Sequence, residues 1–165
     1  MKKFGTLFFV MLLASCGYHL RGAIDLPPEM DKIYVQNASP PLLDTFRDIL
    51  LATQRQLVSS AGEAGLVVIV LAEEMLRRDL SLSSTGKSTE YELQYTLGYE
   101  MLDGKGKILL KNQTIEINRD YFNAQANVIG KEQEEELIRK EMYRQAVSNI
   151  ARSARSALKK RGKKK

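Results

Sequence analysis

The 165-residue chain holds one cysteine, Cys16, and one histidine, His19. A single cysteine excludes an internal disulfide framework. A single histidine, three residues past that cysteine, leaves no base inside the folded part to activate a serine nucleophile. Nor does any clustered His/Cys spacing suggest a metal site. Long apolar runs are lacking too: the longest, Phe4 to Ala14, is broken by Gly5 and Thr6, and a membrane-spanning helix needs about 20 residues. There is no internal repeat and no sign of a second domain. These absences point away from an enzyme and from any bound cofactor or metal.

What the N-terminus does have is the layout of an export signal. Lys2 and Lys3 precede the apolar run, and Leu13-Ala14-Ser15-Cys16 closes it with small residues ahead of the cysteine. This tetrapeptide has the form of a lipobox, where exported lipoproteins are cut and acylated. The expectation is a cleaved signal over residues 1–15, with Cys16 as the first mature residue carrying diacylglycerol and an N-acyl chain. Several acyl chains on one residue hold far more firmly than one. Gly17 stands where an aspartate would favour retention at the inner membrane, so the outer membrane is the expected location.

The net charge of +5 is unevenly placed. Two positives belong to Lys2 and Lys3 and six to the last seven residues, leaving the body from Cys16 to Leu158 at −3. That balance does not suit a nucleic-acid-binding fold. The basic segment 159–165 lacks apolar residues to pack and reads as a disordered tail, either merely solvated or lying on anionic headgroups.

About 150 residues remain after cleavage, enough for one domain with a modest core. Residues 16–30 read as a lipidated leader ending in Pro27-Pro28, and 31–158 as the domain. Lys32–Gln36 reads as a strand. Ser39 followed by Pro40 and Pro41 marks a helix start, with an apolar stripe through Leu42, Phe46, Ile49, Leu50, Thr53 and Leu57 and an end at Gly62 and Gly65. Leu66–Leu71 is β-branched and short, a strand running on toward Leu80 and Leu82 across a charged interval, Glu73–Asp79. Tyr91, Leu93, Tyr95, Leu97, Tyr99 and Met101 alternate with mostly polar residues, so one face is buried. Asp103-Gly104-Lys105-Gly106 makes a hairpin turn, and Lys107 to Tyr121 returns as the partner strand. Asn123–Gly130 is a loop. A long helix then runs from about Lys131 to Leu158, its inner face built from Ile138, Met142, Tyr143, Ala146, Ile150 and Ala154. Glu132, Glu134, Glu135 and Glu136 crowd its start, as the helix dipole favours. The expected fold is α/β of the α+β type: a two-layer sandwich in the order β-α-β-β-β-α, with two helices covering one face of a four-stranded sheet.

The segment Ser81–Thr89 joins two strands and is rich in hydroxyls, with Lys87 beside Gly86. Hydroxyl donors and a cation at an exposed tip suit phosphates or sugars, and the same residues also make any polar turn.

Cys16-Gly17-Tyr18-His19-Leu20-Arg21-Gly22 resembles the mature start of the LptE family, lipopolysaccharide-assembly lipoproteins of Gram-negative outer membranes. Thr89-Glu90-Tyr91 after a polar turn, Tyr121-Phe122, Lys131 and Lys140-Glu141-Met142-Tyr143 follow in the family's order. The resemblance implies a non-enzymatic role: a plug and assembly partner inside the LptD outer-membrane β-barrel that also binds lipopolysaccharide. Lys131 matches one lipopolysaccharide-binding position. At another, Ser84 stands where better-known members have arginine, with Lys87 close by, and Arg119 joins these as a third candidate cation. The alternative is an outer-membrane lipoprotein that scaffolds a different envelope complex without binding lipopolysaccharide.

Overall fold

The computed structural model describes residues 28–82, 88–122 and 128–162. A 3-10 turn, Pro28–Met30, leads into β1 (Lys32–Gln36), α1 (Pro40–Ala52), β2 (Gln56–Leu57) and a second 3-10 turn, Ala61–Glu63. Three long strands follow, β3 (Leu66–Leu82), β4 (Ser88–Asp103) and β5 (Ile108–Phe122), and then α2 (Val128–Gly162). The sheet order is β2-β1-β3-β4-β5, with β1 parallel to both neighbours and β3, β4 and β5 antiparallel. The sheet therefore has five strands, not the expected four.

The extra strand comes from an early end to α1. Ser39 caps the helix as its sequence suggests, its side chain accepting from the Leu42 amide at 3.4 Å with Pro40 and Pro41 in the first turn. The apolar stripe continues in the sequence to Leu57, but Gln54 takes a left-handed φ of 58° and turns the chain out of the helix. The Gln56 amide then donates to the Asp31 carbonyl and the Val58 amide to that of Ile33, both at 2.9 Å. A two-residue strand has no periodicity of its own by which to be read.

One core joins the layers. Leu42, Phe46 and Leu50 of α1 and Met142, Ala146, Val147, Ile150, Ala151 and Ala154 of α2 pack against Ile33, Val35, Leu66, Val68 and Val70. The alternating residues of β4, from Leu93 to Met101, and Ile115, Ile117 and Tyr121 of β5 complete it.

Of the several bulges that interrupt the pairing of β4, two flank it near Tyr99. Val70 pairs with Tyr99 and Ala72 with Gly98, which leaves Leu71 extra on β3 and exposed. Opposite Glu100, β5 carries two residues, Lys111 and Asn112, with Asn112 at a φ of 49°. Bulges bend a strand and increase its twist. Here the β3 bulge also exchanges faces: Leu66, Val68 and Val70 point to the helices before it, and Glu73 and Met75 after it. Pairing with β1 stops at Gln36 and Ile69. Beyond that level β3, β4 and β5 continue as a three-stranded arm, along which α2 runs.

The opposite end, the base, is drawn tight around two glycines. The Gly104 amide donates to the Gly65 carbonyl and the Gly65 amide to that of Lys32, both at 2.9 Å. A Cβ at Gly65 would stand 2.4 Å from the Glu29 carbonyl oxygen. Asp103, buried in the β4–β5 turn, accepts from the Lys105 and Lys107 amides at 2.9 and 2.8 Å and from Arg161. The segment assigned to a disordered tail thus begins as helix: α2 continues through Lys159, Lys160 and Arg161 to Gly162, because Arg161 has a carboxylate to hold.

Candidate functional site

The candidate site is the free end of the arm, where the ends of β3, β4 and β5 meet the first turns of α2. Its framework is a cluster of two tyrosines, two arginines and one carboxylate. The rings of Tyr91 and Tyr121, paired across β4 and β5, lie 5.4 Å apart with a 34° tilt. The Arg77 guanidinium stacks over Tyr91, 4.9 Å from the ring centre, an arrangement in which the ring's negative face attracts the cation. From α2, Glu135 accepts from the Tyr121 hydroxyl at 2.6 Å, from Arg139 at 2.9 and 2.6 Å, and from Arg77 at 3.3 Å.

This cluster sets protonation. Burial alone would raise the Glu135 carboxyl, but hydrogen bonds from Tyr121, Arg139 and Arg77 outweigh it and hold it below its usual value. Burial and the same carboxylate push Tyr121 up to about 12. At neutral pH the acceptor is charged and the phenol keeps its proton, so the link between helix and arm is intact. Glu135, read from sequence as one of several dipole-favouring acids, is therefore the anchor of α2. Its i,i+4 partner Arg139 was visible in the spacing. Arg77 was not, since its face depends on the bulge at Leu71.

A second carboxylate, Glu73, performs a similar task at the root of the arm. It accepts from the Ser39 amide and hydroxyl at 2.9 and 2.6 Å and from the Tyr95 hydroxyl at 3.1 Å. Burial first, and then Glu73, push the Tyr95 phenol far above its usual value. Tyr95 also meets Tyr143 of α2 edge to face, with ring centres 5.0 Å apart.

The predicted site residues are distributed as follows. Cys16, Ser84 and Lys87 lie outside the described residues. Lys131 lies in the first turns of α2, one turn before Glu135. Arg119 sits on the helix-facing side of β5, one rung below Tyr121 and opposite Leu93. It is exposed, donating to the Gln145 side chain and, at 2.9 Å, to the Asn118 carbonyl. The backbone at Lys131 is thus one helical turn from Glu135, and Arg119 stands farther down the arm. Among the described residues no group of three His, Cys, Asp or Glu side chains could hold a metal ion. No helix among them is long and apolar enough to cross a membrane.

Residues 30–154 match the family model described as "LptE: Lipopolysaccharide-assembly". The chain belongs to the LptE family. It is 27% identical over 146 residues to the LPS-assembly lipoprotein LptE of Pectobacterium atrosepticum, covering 87% of this chain and 78% of that one. With the LPS-assembly lipoprotein LptE of Photorhabdus laumondii it shares 26% over 147 residues, covering 87% and 79%. Among solved structures, lipoprotein B from Nitrosomonas europaea aligns with a TM-score of 0.64 at 27% identity, over 82% of this chain and 88% of that one. The rare lipoprotein B from Shewanella oneidensis gives 0.61 at 27% identity, over 77% and 96%. The α+β sandwich is thus the LptE fold, and over residues 30–154 the resemblance is a family relationship.

Proposed function

We propose that this protein is an outer-membrane lipoprotein, held by acyl chains on Cys16, that plugs and helps assemble the LptD β-barrel and binds lipopolysaccharide during its insertion into the outer leaflet. The observation that carries the proposal is the family match over residues 30–154, which spans every element from β1 into α2.

Two features of the arm fit a plug in a wet lumen. Its sheet face away from the helices is polar: successive rungs read Glu74–Thr96–Glu116, Leu76–Gln94–Asn118 and Arg78–Glu92–Asp120. On that face the Gln94 Oε1 is buried without a hydrogen-bond partner among the described residues, and a partner's donor would satisfy it. The anchor keeps the domain beside its barrel, so moderate contacts give a lasting complex. Lys87 and Lys131 supply cations for the lipid A phosphates, with Arg119 as a further contributor.

The test is affinity purification of the tagged full-length protein from detergent-solubilised outer membranes. Recovery with one large β-barrel protein at near-equal stoichiometry is expected, and recovery alone would end the plug reading. Lys87→Glu with Lys131→Glu should weaken lipopolysaccharide binding while the circular dichroism melt stays unchanged. Undiminished binding would remove both lysines from the site.

A further inference from the structure

The base of the domain gathers positive charge where the chain leaves toward Cys16. Pro28–Met30 packs there, with the Glu29 backbone against Gly65 and Gly65 against Gly104. Arg161, in the last turn of α2, bonds Asp103 of the adjoining turn. An open groove lined by Glu29, Gly65, Asp103, Lys105, Leu158 and Arg161 marks the shared boundary of these segments.

Around this end stand Lys32, Arg55, Lys105, Lys107, Lys159, Lys160 and Arg161, against Glu29, Asp31, Glu63 and Asp103. Asp31 is paired with Arg55 and Asp103 with Arg161. Lys105, Lys107, Lys159 and Lys160 are exposed and make no ion pair with a described residue. Beside them Ile108, the first residue of β5, is 51% exposed, an apolar side chain where a membrane interface could accept one. The sequence places three more lysines directly after Gly162.

We propose that this end is a docking surface for the anionic phospholipid headgroups of the leaflet that holds the Cys16 anchor. The proposal rests on the anchored reading given above. Eleven residues separate Cys16 from Pro28, and at about 3.3–3.6 Å per residue they reach at most ~40 Å. The base is the part of the domain nearest the bilayer on such a tether, and there its unpaired lysines meet phosphates within the screening distance of physiological salt. The anchor supplies lifetime on the membrane. The lysines supply orientation, keeping the base at the headgroup level of that leaflet while the arm stays free to enter the barrel.

The test uses residues 17–165, which keep the whole buried core (Met30 to Ala154), after a cooperative melt confirms folding. Flotation is measured with phosphatidylcholine vesicles, with vesicles one-third phosphatidylglycerol, and with phosphatidylcholine vesicles carrying lipopolysaccharide. Binding to the phosphatidylglycerol vesicles at low salt, lost at high salt, is expected. Lys159→Gln with Lys160→Gln should weaken it about 25-fold, roughly fivefold per lysine, and Lys105→Gln with Lys107→Gln should weaken it further. Equal binding to phosphatidylcholine alone, or an unchanged fourfold variant, would overturn the proposal, as would binding confined to the lipopolysaccharide vesicles. The mass of the full-length protein at Cys16 is measured separately. A missing acyl mass would sink the anchored reading, whereas the vesicle result decides the headgroup surface by itself.

Discussion

The Ser39 hydroxyl donates a 2.6 Å hydrogen bond to Glu73 Oε1 while the Ser39 amide donates to Oε2 at 2.9 Å. One carboxylate thus grips the start of α1 with both oxygens. Glu73 can do this only because the bulge at Leu71 has turned it to the helix face. The bulge, the helix cap and the root of the arm are a single device.

Both ends of the grip should therefore be needed together. Ser39→Ala and Glu73→Gln are each expected to cost about 1–2 kcal/mol, as for a lost cap or a lost charge-assisted bond. The double variant should cost less than the sum, because Ser39→Ala removes and Glu73→Gln weakens the same hydroxyl–carboxylate bond. Urea unfolding of the four proteins measures this, and strict additivity would show that the two residues act independently.

The Tyr121–Glu135 bond gives the arm a pH dependence on two sides. Glu135 has its pKa held below the usual 4.5, so its contribution is complete above that value and is lost as pH falls through the lower folded one. Tyr121, pushed up to about 12 from 10.0, contributes fully below pH 10 and loses its contribution as pH rises toward 12. At neutral pH, Tyr121→Phe should cost about 1–2 kcal/mol. Its stability profile between pH 10 and 12 should be flatter than that of the parent. Glu135→Gln should flatten the acid limb in the same way, and denaturant midpoints across the pH range read both effects.

The periodic parts of this fold were legible and the corrections were not. Tyr91 to Met101 alternates because β4 is the one long strand without a bulge in its middle, and its buried face follows directly. The stripe Leu42-Phe46-Leu50 and the inner face of α2 were equally plain, although Val147 and Ala151 widen the latter. What escaped were features set by single residues in tertiary context. Gln54 turning left-handed, Leu71 standing out as a bulge and Arg161 finding Asp103 have no repeating pattern to show them. At the site, Lys131 could be placed through the family resemblance. The cluster one helical turn away could not, because Arg77, Tyr91, Tyr121 and Glu135 come from four elements.

The base should be intolerant of even a methyl group. A Cβ at Gly65 would lie 2.4 Å from the Glu29 carbonyl oxygen and one at Gly104 2.5 Å from that of Ala64, and backbone cannot yield as a flexible side chain does. Gly65→Ala and Gly104→Ala should each destabilise by about 1–3 kcal/mol, the usual cost of overpacking. Gly62→Ala, where nothing lies within 4 Å, is the control and should leave the melting temperature nearly unchanged.

Arg119 and Lys131 should differ in what they do for lipopolysaccharide. Arg119 already spends donors on Gln145 and Asn118, yet a guanidinium has five, and its exposed position leaves some for a phosphate. It lies below Tyr121, however, while Lys131 lies past Glu135 toward the end of the arm. Arg119→Gln is therefore expected to weaken lipopolysaccharide binding severalfold at most, and Lys131→Gln to weaken it about tenfold, the loss of one charge-assisted bond. Titration of each variant with purified lipopolysaccharide at fixed salt separates them. A larger loss at Arg119 would place the binding surface along the side of the arm, beside Gln145, instead of at its tip.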